Sequence, residues 1–114
     1  MRTGRLPDDL LEPLADRFKA LGEPARLRIL RELRDGEQTV SELVQNTRLT
    51  QANVSKHLQV LHTMNYVARR KEGLYVYYRL ADENVFLLCD IVCDRMEREV
   101  EASRSRIRGR RGRG

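Results

Sequence analysis

At Tyr66 the apolar residues stop recurring every three or four positions and begin to alternate, and at Asp82 the helical spacing returns. That double switch confines the β structure to one short ribbon set among helices. The runs "YVARRK" and "LYVYYRL" are β-rich and separated by Glu72-Gly73, which reads as a hairpin. Glu-Gly is a weaker turn signal than Asn-Gly, so the spacing leaves the turn type open. Tyr75, Tyr77 and Tyr78 read as strand packing.

Before the ribbon the spacing predicts four helices. The first runs from about Pro7 or Pro13 to Leu21, with Leu10, Leu14, Phe18 and Leu21 on one face and Gly22 expected as a left-handed cap. The second opens at "EPAR", where Pro24 suits the first turn, and stops at Gly36. Thr39 to Glu42, "TVSE", has the spacing of a capping box for a third helix that ends near Asn46. "TRLT" then turns the chain. Thr50 is the expected N-cap of a fourth helix reaching about Met64.

That fourth helix has two unlike faces. Val54, Leu58 and Leu61 fall within one arc, while Gln51, Ser55, Lys56, Gln59 and His62 spread over the other side, with Ala52 among them and no acid. His57 projects toward the apolar arc and reads as packed, with a phosphate contact as the other reading. After the ribbon, Val85, Leu88, Val92, Met96 and Val100 form one stripe on a long acidic helix ending near Ser103. The final "RSRIRGRRGRG" lacks apolar content and is expected to be disordered.

At 114 residues the chain can bury a modest core and reads as one domain, residues 1–103, followed by the Arg/Gly-rich tail 104–114. The net charge of +5 is unevenly spread. Residues 45–80 carry six Lys/Arg against one acid, and the tail carries six Arg with none; residues 81–103 carry two basic residues against seven acids. The positive middle coincides with the acid-free helix and the ribbon. Two cysteines are too few for a secreted disulfide scaffold. The stretch "MRTGRLPDDLLEPL" has acids where a signal peptide would need an apolar block, and the run "VFLLCDIVC" is too short to span a bilayer. A cytoplasmic protein with no membrane partner is expected. No nucleophile–base pair, phosphate-binding glycine loop or clustered carboxylate site is visible, so no enzymatic activity is expected.

Two short helices joined by a tight turn, then a two-stranded ribbon, is the plan of a winged helix-turn-helix. The expected fold is therefore mainly α with a two-stranded β-wing, dimerised through its first and last helices. The major groove admits one helix, and its base edges and phosphates favour amides, hydroxyls and cations over carboxylates. Gln51, Ser55 and Gln59 are candidates for base-edge reading and Lys56 for a phosphate. Thr50, Asn53 and His57 complete the helix's candidate DNA-binding set. Arg69, Arg70 and Lys71, beside the wing turn, are expected to grip the flanking backbone. A homodimer on double-stranded operator DNA would bury the apolar stripes and set two reading helices about one DNA turn, roughly 34 Å, apart.

On "ALGEPARLRILREL", "TVSELVQNTRLTQANVSKHLQVL" and "RRKEGLYVYYRL", the chain resembles the ArsR/SmtB family of small winged-helix repressors. The resemblance covers roughly Leu14 to Tyr78. It implies a homodimer that binds operator DNA and leaves it when a metal, metalloid or oxidant reaches a sensing site. Of the sites the family uses, the thiolate pair at the start of the third helix is replaced by Thr39 and Ser41. The site on the last helix is replaced by Asp82, Asn84, Arg95 and Arg98, whose arginines would repel a cation. What remains is Cys89 and Cys93, four apart on one side of the last helix. They read either as packed small hydrophobes or as a thiol sensor for an oxidant or a soft metal or metalloid such as arsenite, copper or zinc. Two alternatives stay open: a constitutive DNA binder without sensing, and a winged-helix module that binds a protein.

Overall fold

The computed structural model describes residues 6–112, with side chains through residue 108. Two compact units divide the described chain, one ending at Asp82 and the other beginning at Glu83.

In the first unit a 3-10 turn, Asp8–Leu10, leads into α1 (Leu11–Leu21). Pro13 lies in the first turn of α1, where its missing N–H breaks no bond. Gly22 has φ −83°, so the expected left-handed cap does not form. The end of α1 is held differently, by a side chain described below. α2 (Pro24–Leu33) starts with its proline at the first turn, and Gly36, at φ +135°, turns the chain after it. β1 (Gln38–Thr39) follows, then α3 (Val40–Thr47). The capping box forms: the Glu42 N–H donates to Thr39 Oγ1 at 3.2 Å, and the Thr39 N–H donates to Glu42 Oε1 at 3.0 Å. Arg48, left-handed at φ 62°, ends α3. Leu49 and Thr50 complete the turn into α4 (Gln51–Thr63).

The wing consists of β2 (Val67–Glu72) and β3 (Tyr75–Leu80), antiparallel, with Gly73 and Leu74 as the two loop residues. Gly73 sits first in the loop at φ +60°, the position and residue that a type II′ turn demands. The turn is therefore one residue later than Glu72-Gly73. A third short strand was not legible: β1 pairs with β3, giving the order β1-β3-β2.

Ile29, Leu30 and Leu33 of α2, Leu43 of α3, Val54, Leu58 and Leu61 of α4, and Val67 of β2 are buried together with Ala20 of α1. Full burial of side chains of this size contributes about 1.5–3 kcal/mol each. This core fixes α4 against α2, α3 and the wing.

The second unit contains α5 (Val85–Gly112). The helix passes Ser103 without a break, so the expected disorder of the tail is corrected for residues 104–112; residues 113–114 lie outside the described part. Arg is among the better helix formers, and an extension added to an existing helix avoids the cost of nucleation. Leu88, Val92, Met96 and Val100 are 43–58% exposed, whereas Val85, at the head of the same stripe, is buried. None of the helices, among the described residues, is long and apolar enough to cross a membrane.

Candidate nucleic-acid interface

α4 begins as its sequence demands: Thr50 Oγ1 accepts the Asn53 N–H at 3.2 Å. Gln51, Ala52, Asn53, Ser55, Lys56 and Gln59 are exposed, while Val54, Leu58 and Leu61 are fully buried. The helix has no Asp or Glu anywhere along it. Its open side therefore offers amides, a hydroxyl and an ammonium to whatever approaches, as the spacing predicts. His62 is half-buried rather than open.

His57 does not join that side. Its ring is buried, and its Nδ1 lies 3.2 Å from Arg26 Nη1. Burial, then the neighbouring guanidinium, hold its pKa below the ordinary 6.5. The phosphate-contact reading of His57 is therefore corrected: the ring faces inward, as the apolar arc implies.

The wing separates its three consecutive basic residues. Cross-strand register pairs Val67 with Leu80, Arg69 with Tyr78 and Lys71 with Val76, so these share the sheet face that covers the helices. Arg69 and Lys71 are exposed near the turn and make no ion pair among the described residues. Arg70 lies on the opposite face. Its Nε donates to both Glu37 carboxylate oxygens at 3.1 Å, its Nη1 to Glu72, and its guanidinium stacks over Tyr77 at 4.5 Å. The Arg70 contact lowers the Glu37 pKa, and both carboxylates hold Arg70 firmly protonated. Arg70 therefore differs from Arg69 and Lys71, with which the sequence groups it: two acids offset its charge. The clamp was not visible in sequence because Glu37 lies 33 positions away.

On α5, Cys89 is half-buried and Cys93 exposed, both free thiols. Burial, then Cys93 and Asp90, raise the Cys89 pKa, so its thiolate is scarcer than in a typical free cysteine. No group of three or more His, Cys, Asp and Glu side chains among the described residues is placed to hold a metal. Thr39 is occupied as a helix cap and Arg95 pairs with Glu99 at 3.1 Å.

A tight turn between α3 and α4, an acid-free α4 and a hairpin with two unpaired cations define a winged helix-turn-helix. The sequence model of the bacterial regulatory proteins of the arsR family matches residues 23–69. The arsenical resistance operon repressor of Bacillus subtilis is 36% identical over 87 residues, spanning 75% of this chain and 83% of that protein. The transcriptional repressor SmtB of Mycobacterium tuberculosis is 35% identical over 88 residues, spanning 77% of this chain. This chain covers 63% of that repressor's length. Among solved structures, the homodimeric winged helix-turn-helix DNA-binding domain of a possible ArsR-family regulator from Mycobacterium bovis superposes with a TM-score of 0.69. It is 34% identical, over 82% of this chain and 91% of that one. The chain belongs to the ArsR/SmtB family of transcriptional regulators.

Proposed function

We propose that the chain is a cytoplasmic transcriptional repressor that binds a two-fold operator in double-stranded DNA as a homodimer. The observation that carries this reading is the acid-free open side of α4, with Arg69 and Lys71 unpaired on the helix-bearing face of the wing. Gln51, Ser55 and Gln59 read base edges. Lys56, Asn53 and the start of the helix at Thr50 hold phosphates, and Arg69 and Lys71 hold the flanking backbone. A second copy covers the apolar residues exposed on α1 and α5; the neighbour from Mycobacterium bovis is itself a homodimer.

Release from the operator is assigned to Cys89 and Cys93. A peroxide-class oxidant would take two electrons and two protons from two thiols and leave a disulfide. Alternatively, thiolates from two copies would bind a soft metal or metalloid. A trivalent metalloid wants three thiolates and one chain supplies two, so the second copy is part of the site.

Fluorescence polarisation with the duplex upstream of the chain's own gene tests the DNA reading. Gln51→Ala with Ser55→Ala should cost about 1–3 kcal/mol per lost base contact and relax sequence preference while the salt dependence holds. Unchanged preference would overturn the base-reading assignment. A folded protein that binds no duplex at low salt would favour a protein-binding module instead.

A further inference from the structure

Arg26 ties three helices together. From the first turn of α2, its Nε donates to the Ala20 carbonyl at 2.6 Å and its Nη2 to the Lys19 carbonyl at 3.2 Å. Both carbonyls belong to the last turn of α1, where partial negative charge collects. The third nitrogen, Nη1, meets His57 Nδ1 at 3.2 Å in the middle of α4. A guanidinium carries only donors and stays protonated, so Nδ1 must accept and the ring proton must sit on Nε2. The contact therefore selects both the charge and the tautomer of His57.

We infer that Arg26 is a positioning residue for the DNA-facing helix, and that adding a proton to His57 releases this hold and weakens DNA binding. The inference rests on the DNA-binding reading above. Protonated Nδ1 would become a second donor, and two positive groups would face each other where a hydrogen bond had been. The charges acting on the ring are Arg26 and Glu23 at the start of α2 and Lys56 from α4 itself; Glu23 alone favours the protonated ring. Burial and the two cations prevail, so the ring is neutral at neutral pH.

A second arginine braces the same helix without a titratable acceptor. Arg17 Nη1 donates to the Met64 carbonyl, at the end of α4, at 2.7 Å, and the Tyr66 hydroxyl donates to the Arg17 carbonyl at 3.1 Å. A backbone carbonyl takes up no proton in the physiological range. The Arg17 contact is thus a built-in control for the Arg26 contact.

The test compares the full chain with His57→Asn, which retains an acceptor near the Nδ1 position and cannot titrate. Polarisation on the duplex upstream of its own gene is read at about pH 8 and at a pH below the His57 midpoint found in the nitrogen-15 spectra described below. Acidification should weaken the parent about fivefold more than His57→Asn, the factor expected for one net hydrogen bond. His62 is present in both proteins and cancels in the ratio. Arg17→Ala should weaken binding by the same factor at both pH values as measured against the parent. A parent that gains affinity on acidification relative to His57→Asn would show the ring meeting phosphate, and would overturn the inference.

Nitrogen-15 spectra of labelled histidine give a readout that does not depend on the variant folding. The parent should carry the Nε2–H tautomer, with a His57 titration midpoint below the ordinary 6.5, and Arg26→Met should raise that midpoint. An Nδ1–H tautomer, or no response to Arg26→Met, would also overturn the inference. Failure of the parent to bind any duplex at about pH 8 would instead remove the DNA reading, leaving these spectra to decide the Arg26–His57 contact.

Discussion

The wing offers the sharpest test of how charge is used, because three adjacent basic residues are expected to behave differently. Charge count alone gives Arg69, Arg70 and Lys71 equal weight. The strand alternation gives Arg69 and Lys71 one face, and puts Arg70 on the other between Glu37 and Glu72. In a homodimer each substitution acts twice. Neutralising one phosphate contributes about 0.9 to the slope of log K against log salt, so Lys71→Ala should flatten that slope by about 1.8. Arg69→Ala should do the same. Over a fourfold rise, from about 50 to about 200 mM salt, a change of that size is a roughly twelvefold difference in the affinity retained. Arg70→Ala should leave the slope unchanged, because its charge is already offset and it releases no counterion on binding. It should lower affinity by exposing two carboxylates and loosening the tie between the wing and the segment before β1. The assay is polarisation on one duplex across that salt series. An Arg70→Ala slope flattened as much as that of Lys71→Ala, with Lys71→Ala near the parent, would refute the division of the wing.

Three further outcomes follow from burial and thiol chemistry. Leu58→Ala removes a fully buried side chain from the hydrophobic side of α4, and should cost about 2–5 kcal/mol, read as a lowered circular-dichroism melting temperature. An unchanged melt would mean that α4 is not anchored there. Iodoacetamide should modify exposed Cys93 before Cys89, and the Cys89 rate should climb as rising pH populates the thiolate that burial disfavours at neutrality. Mass spectrometry of the modified peptides reads the order, and equal rates would contradict it. The Cys89→Ser/Cys93→Ser protein should stay on DNA in peroxide or arsenite; release identical to the parent would place sensing elsewhere.

Local chemistry made much of this molecule legible in its sequence. The capping box at Thr39 and Glu42 and the cap at Thr50 involve residues three apart, so their partners are in plain view. The open and buried sides of α4 follow from helical period alone. Contacts between distant residues were hidden. Glu37 neutralises Arg70 from 33 positions away, and Arg26 meets His57 across 31. Gly22 misled for the same reason: the end of α1 gains its partner from Arg26 and needs no left-handed residue. The tail misled differently. A segment whose one large apolar residue is Ile107 has little to offer a core, but it needs none when a formed helix already precedes it and its arginines suit helical backbone. The strand β1 escaped notice because two residues carry too little pattern to recognise.

The apolar side chains left open on α1 bear on how the DNA-facing helix could be positioned in an assembly. Leu6, Leu10 and Leu11 line a groove at the start of this region, and Arg17 forms part of the same wall. Arg17 also donates to the carbonyl that ends α4. A second copy seated in the groove would press on the residue that steadies the DNA-facing helix. Filling the groove would restrict Arg17, and a restricted Arg17 would keep the Met64 carbonyl, and with it the end of α4, in one place. Reading a two-fold operator requires two helices set about one turn of DNA apart, with little tolerance for rotation of either. An apolar contact on α1 supplies affinity between copies but has no direction of its own. In such an assembly the Arg17 bond to the Met64 carbonyl would supply that direction, tying an apolar contact on α1 to the placement of α4.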